Sequence, residues 1–233
     1  GRTLTFVFSD KNPIGVRGPA VSLDAGRTWS WMGTEDVEGG TFRYAFGADC
    51  GEARFAFTVP YLEADLEAFL NRHNPGGCIQ KGELCTSAKG RSVEWLQVGG
   101  EGEDARYRIA LLCRHHACET MASFVLEGIL EAAISDTPHG RWLRENTKIL
   151  AIPFMDKDGV EEGDQGKNRA PHDHNRDYGE ESIYPEVRAV RAFLPKWMAE
   201  DGLSIGLDLH CPWIRGGKGG PADNEQVFFV GIQ

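Results

Sequence analysis

A chain of 233 residues has room for one large domain or for two smaller ones, and 41% apolar residues with 10% aromatics supply a core. The formal charge of −10 at pH 7 argues against a nucleic-acid partner, which calls for a basic surface. No apolar run approaches the ~20 residues of a membrane-spanning helix, so no membrane partner is expected either.

The chain opens on Gly1 rather than Met and enters a strand almost at once, so a native N-terminal piece is expected to be missing. Residues 3–58 are expected to be all-β. Leu4, Phe6 and Phe8, then Trp29 and Trp31, then Phe42, Tyr44 and Phe46, then Phe55 and Phe57 follow the period of two that half-buried strands need. Residues 1–58 are therefore assigned to a small β-sandwich domain. The composition changes at Val59-Pro60. Leu62, Leu66, Phe69 and Leu70 give an amphipathic helix that Asn74-Pro75-Gly76-Gly77 stops. A Gly-rich loop follows, then strands over 92–98 and 107–113.

Met121, Phe124, Val125, Gly128, Ile129 and Ala132 recur at helical spacing, giving a helix over about 118–135 that ends at Pro138. A strand is expected over 148–155. Residues 156–182 read as one long polar loop, a length that usually carries function. A helix beginning near Pro185 with Val187, Val190, Leu194 and Trp197 on one face, a strand over 203–210, a Gly-rich loop and a strand over 227–230 complete the chain. Strands alternating with helices predict an α/β domain over 59–233, with a mixed, largely parallel sheet covered by helices on both faces.

The chemistry-bearing residues fall at strand ends or in that long loop. His116-Ala117-Cys118-Glu119 lies where a strand gives way to a helix, and an imidazole three residues before a carboxylate can turn both groups toward one ion. Asp173-His174-Asn175-Arg176 lies in the long loop, and Asp208-Leu209-His210 ends a strand. The six cysteines form no C-x-x-C pair, which argues against a thiolate zinc site. A Cys78–Cys85 bridge and free buried thiols are both open, and with them the redox compartment. Arg215-Gly216-Gly217-Lys218-Gly219-Gly220 lacks the Ser or Thr of a phosphate-binding loop and reads as a loop near the site.

Taken together, the segment 113–120, Asp158-Gly159-Val160, Asn175-Arg176-Asp177-Tyr178 and Asp208-Leu209-His210 resemble the zinc metallocarboxypeptidases over roughly residues 59–233, in the order those enzymes place them. The resemblance is closest to the cytosolic carboxypeptidase-like branch with its N-terminal β-sandwich. It implies one Zn2+ per chain held by His116, Glu119 and His210, with His115 as a competing ligand to His116. It implies that Asp173 orients His116, and that Asn175 and Arg176 hold the C-terminal carboxylate of a peptide or protein substrate. Where the family places an oxyanion-stabilising Arg, this chain offers Lys167 or Arg169, with a slight preference for Arg169. The family's general-base Glu lies well beyond the third ligand, and Glu225 stands too close to His210 to serve. A catalytic base is therefore expected to be absent from these residues, leaving the chain a fragment or a degenerate member.

The function implied is hydrolysis of a C-terminal peptide bond by a metal-activated water. A zinc amidohydrolase acting on N-acyl amino acids and a non-catalytic zinc- or peptide-binding module are the alternatives. The compartment reading leans cytoplasmic, and the oligomeric state is open.

Overall fold

The computed structural model describes residues 1–9, 12–100, 105–198, 202–211 and 229. Packing divides the chain into two compact units, one containing Gly1–Pro60 and the other Tyr61–Cys211. The expected strand over 227–230, the Gly-rich run 215–220 and Glu225 lie outside the described residues.

In the first unit, β1 (Thr3–Val7), β5 (Thr41–Ala45) and β4 (Val37–Glu38) form one antiparallel sheet. A second is built from β3 (Ser30–Trp31), β2 (Ala20–Ser22) and β6 (Arg54–Ala56). Register brings Phe6 opposite Phe42 and Leu4 opposite Tyr44, so the even-numbered aromatics share a face. Phe6 and Phe42 stack with ring centroids 4.6 Å apart, and Phe55 of the other sheet meets them at 4.9 and 5.2 Å. Aromatic packing between two small sheets holds this unit together.

The second unit is a five-stranded sheet in the order β11-β9-β10-β8-β7. Its strands are β7 (Ile79–Thr86), β8 (Ser92–Gly99), β9 (Tyr107–Cys113), β10 (Thr147–Ile152) and β11 (Ile205–Leu209). The helices are α1 (Glu63–His73), α2 (Met121–Ile134), α3 (Pro138–Asn146), α4 (Lys157–Glu162) and α5 (Pro185–Met198). The pleat divides each strand between two cores. Ile149 and Ala151 of β10 face one core with Leu66 and Phe69 of α1 and Leu126 and Leu130 of α2, while Leu150 and Ile152 face the other with Val187 and Val190 of α5. Helices therefore cover both faces, as expected for this fold class.

The sheet is mixed, but it is not largely parallel among the described strands. β9 pairs in parallel with β10 and β11, whereas β8 pairs antiparallel with β10 and with β7. The connections dictate this. Parallel neighbours need a crossover, which α2 and α3 supply between β9 and β10, whereas β7 and β8 are joined by the short turn at Ser87–Arg91. β7 itself occupies the segment expected as a Gly-rich loop. Its Gly82 pairs with Trp95, and a Cβ there would sit 2.3 Å from the indole. Pro138 does not end a helix but starts α3, whose N-cap Thr137 accepts a bond from Gly140 N–H at 3.1 Å. The loop expected over 156–182 contains α4, capped by Asp156, and a single 3-10 turn at His174–Arg176, capped by Asp173. No described helix is long and apolar enough to cross a membrane.

Candidate metal centre

β9 and β11 run side by side in parallel, so the residues following them emerge at the same edge of the sheet. After β9 the chain turns sharply at Arg114, whose φ of 62° is in the left-handed region. Its guanidinium is 1% exposed and donates to the carbonyls of Ala117 (3.0 Å) and Tyr61 (3.1 Å) and to Ser123 Oγ (2.9 Å). These bonds fold residues 114–119 back on themselves and offset the cost of the left-handed residue, about 1–2 kcal/mol. A neighbouring segment closes over this turn. Gly166, at φ 79°, lies so close that a Cβ would meet Ala117 N at 2.3 Å, and Cys118 N–H donates to Gln165 O.

This brings His116, Glu119 and His210 together, with one ligand-type atom from each within 4.8 Å of the others. The Glu119 carboxylate is 3% exposed. Its Oε1 lies 3.1 Å from His116 Nδ1, and its Oε2 lies 2.7 Å from His210 Nδ1 and accepts from Cys211 N–H at 3.1 Å. Each imidazole turns its other nitrogen to a second carboxylate. His210 Nε2 is 2.7 Å from Asp208 Oδ2, and His116 Nε2 is 3.6 Å from Asp173 Oδ2.

The donor set fits a zinc ion. An ionised carboxylate only accepts hydrogen bonds, so Asp208 fixes the proton on His210 Nε2 and leaves the Nδ1 lone pair facing Glu119. Two electron pairs 2.7 Å apart require a positive charge between them; a proton fits that gap, and a metal cation bound by both groups would take the proton's place. The same demand shows in the acidities. Burial alone would lower the His210 pKa, but Asp208 and Glu119 outweigh it and push it up to about 9. Burial would raise that of Glu119, yet His116, His210 and Lys167 hold it well below the usual carboxylate range. Two imidazoles and one carboxylate are a set zinc accepts while keeping a position open.

The remaining expected residues divide. Asp173 caps the 3-10 turn, its Oδ1 accepting from Arg176 N–H at 3.2 Å, while its Oδ2 faces His116. Asn175 Nδ2 lies 3.4 Å from His210 Nε2. Arg176 is exposed on the same turn, and its guanidinium makes no ion pair among the described residues. Lys167 Nζ reaches Glu119 Oε1 at 2.6 Å, whereas Arg169 is held by Asp156 at 2.5 Å and Asp164 at 3.0 Å. The structure thus puts Lys167, rather than the preferred Arg169, against the cluster.

His115 is 1% exposed and lies in a second group of ligand-type side chains with Asp208 and His210. Sequence reasoning gave no role to Asp208, Tyr178 or Arg114. Only the placement of Asp208 two residues before His210, at the end of β11, hinted at the first.

Cytosolic carboxypeptidase 2 of Xenopus tropicalis is 24% identical over 181 residues, 73% of this chain and 19% of that protein. Cytosolic carboxypeptidase 1 of Homo sapiens is 27% identical over 194 residues, 76% of this chain and 15% of that protein. The chain thus spans a fifth or less of these two relatives. A metallo-carboxypeptidase from Pseudomonas aeruginosa shares the fold with a TM-score of 0.69 at 24% identity, over 90% of this chain and 56% of that one. Another from Burkholderia cenocepacia gives 0.68 at 21%, over 89% and 57%. A family model described as zinc carboxypeptidase matches residues 71–210, and the chain belongs to that family.

Proposed function

We propose that this chain carries the metal site and the carboxylate-recognition turn of a metallocarboxypeptidase that removes the C-terminal residue of a peptide or protein. The observation that carries this reading is the meeting of two features at one sheet edge. The His116–Glu119–His210 cluster lies beside a turn that brings Asn175 to His210 and leaves the Arg176 guanidinium without an ion pair among the described residues.

Zinc, the metal of this family, would be held by His116, Glu119 and His210, and when bound supplies a Lewis acid that polarises a carbonyl and acidifies water. Asp173 and Asp208 orient the two imidazoles by facing their far nitrogens. A guanidinium presents parallel N–H donors matched to a carboxylate, so Arg176 with Asn175 would hold the substrate's terminal carboxylate and reject chain interiors. Lys167, whose Nζ lies 2.6 Å from Glu119, would stabilise negative charge developing on the carbonyl oxygen. Arg169, neutralised by Asp156 and Asp164, is the weaker candidate for that role. The Pseudomonas neighbour was solved with (2-guanidinoethylmercapto)succinic acid, a dicarboxylate, which supports an anion-accepting site on this fold. The names of the cytosolic relatives support a cytoplasmic location.

The test compares peptides with free and amidated C-termini, using the intact protein and its Arg176→Ala variant. The free peptide should be trimmed and the amidated one spared. Arg176→Ala should lower kcat/KM on the free peptide by about 10- to 100-fold, the worth of a charged hydrogen bond. Equal turnover of both peptides, unchanged by Arg176→Ala, would contradict the exopeptidase reading.

A further inference from the structure

His115 immediately precedes the first proposed ligand, and it is the most deeply buried of the three histidines at this edge. Its Nδ1 lies 2.8 Å from Asp208 Oδ1 and its Nε2 lies 2.8 Å from Tyr178 Oη. A carboxylate accepts only, so the proton is on Nδ1, and Nε2 accepts the tyrosine O–H. Both ring nitrogens are then satisfied by protein, and no lone pair remains for a metal. The other oxygen of Asp208 faces His210 Nε2 at 2.7 Å. An unbroken chain of bonds therefore runs from Tyr178 through His115 and Asp208 to His210.

Tyr178 follows Arg176 by two residues, and the segment between is fixed. Asp177, buried, accepts from the backbone N–H groups of Ile183 and Tyr184, both at 2.9 Å, and pairs with His172 at 2.6 Å. The turn proposed to bind the substrate carboxylate is thus tied at one end to the tyrosine that begins the relay.

We propose that His115 and Tyr178 are positioning residues, which together with Asp208 set the orientation of His210 and so link the Asn175–Arg176 turn to metal affinity. This rests on the reading of His210 as a zinc ligand. The relay fixes the tautomer and tilt of that imidazole, and an orienting partner of this kind typically governs metal affinity by 10- to 100-fold.

The experiment is chelator competition for zinc on the intact protein and its Asp208→Asn, His115→Gln, Tyr178→Phe and His210→Ala variants, with melting curves recorded in excess chelator. Asp208→Asn and His115→Gln should each still bind zinc, with affinity lowered about 10- to 100-fold. The Asp208→Asn/His115→Gln double variant should be no weaker than the weaker single one, because both act along one chain of bonds. Tyr178→Phe should bind zinc about 3- to 10-fold more weakly while its metal-free melting matches the wild type, a pattern a purely structural hydroxyl would reverse. Wild-type affinity in these three variants, alongside loss of zinc in His210→Ala, would overturn the relay and leave the ligand assignment standing. Complete loss of zinc in His115→Gln would also overturn it, by making His115 a ligand. Equal zinc binding by the wild type and His210→Ala would remove His210 from the site and the relay with it.

Discussion

Lys167 and Arg169 are two residues apart on one loop, yet their surroundings give them different work. Arg169 is enclosed by Asp156, which also caps α4, and by Asp164, so its charge is spent on holding the loop together. Lys167 is directed at Glu119. Lys167→Met should therefore lower kcat about 100-fold while zinc remains bound, the usual effect of removing one donor to a developing oxyanion. Arg169→Met should chiefly lower the melting temperature, and steady-state kinetics with zinc analysis distinguishes the two. A variant of Arg169 that loses kcat with unchanged stability would reverse the assignment. At this scale the sequence picked out three residues that the fold brings together, because His116 and Glu119 are neighbours along a turn and His210 follows a strand. It did not reveal the relay, since His115 meets groups 63 and 93 residues away and local spacing carries no record of them.

At the scale of elements, the turn between β2 and β3 shows how a polar segment is fixed without a core. Asp24 accepts from the backbone N–H of Thr28 at 2.9 Å, from its hydroxyl at 2.7 Å and from the Ser22 hydroxyl at 2.8 Å. These bonds pull its pKa from 3.8 down to about 2. A carboxyl depressed on folding stabilises the native state above its unfolded value and loses that contribution as pH falls through the folded value. Asp24→Asn should thus melt below the wild type at pH above about 4, and the two curves should converge as pH falls to about 2. Parallel curves across that range would show the turn bonds to be inconsequential. The same logic of local capping explains which elements escaped the sequence reading. Pro138 is equally at home after a helix or at the first position of one, and only the Thr137 cap decides. β7 was hidden because an edge strand rich in Gln, Lys and Glu lacks an apolar run, and its Gly82 serves the Trp95 ring rather than a turn.

At the scale of the whole molecule, sheet and helices form a frame that presents the ends of β9 and β11 together. Alternating strands and helices made the α/β class legible, since a strand buried on both faces must read as an apolar run. The proportion of parallel pairing was overstated because the β7–β8 hairpin was invisible without β7. Parallel pairing of β11 with β9 explains how motifs separated by about a hundred residues meet: it returns His210 to the turn that carries His116 and Glu119. The proposed function therefore requires these distant residues to hold one ion. Elemental analysis of the intact protein, wild type beside His210→Ala, tests it most directly. About one zinc per chain is expected in the wild type and none retained by the variant. Zinc retained in full by His210→Ala, or no zinc bound by the wild type when it is offered, would contradict it.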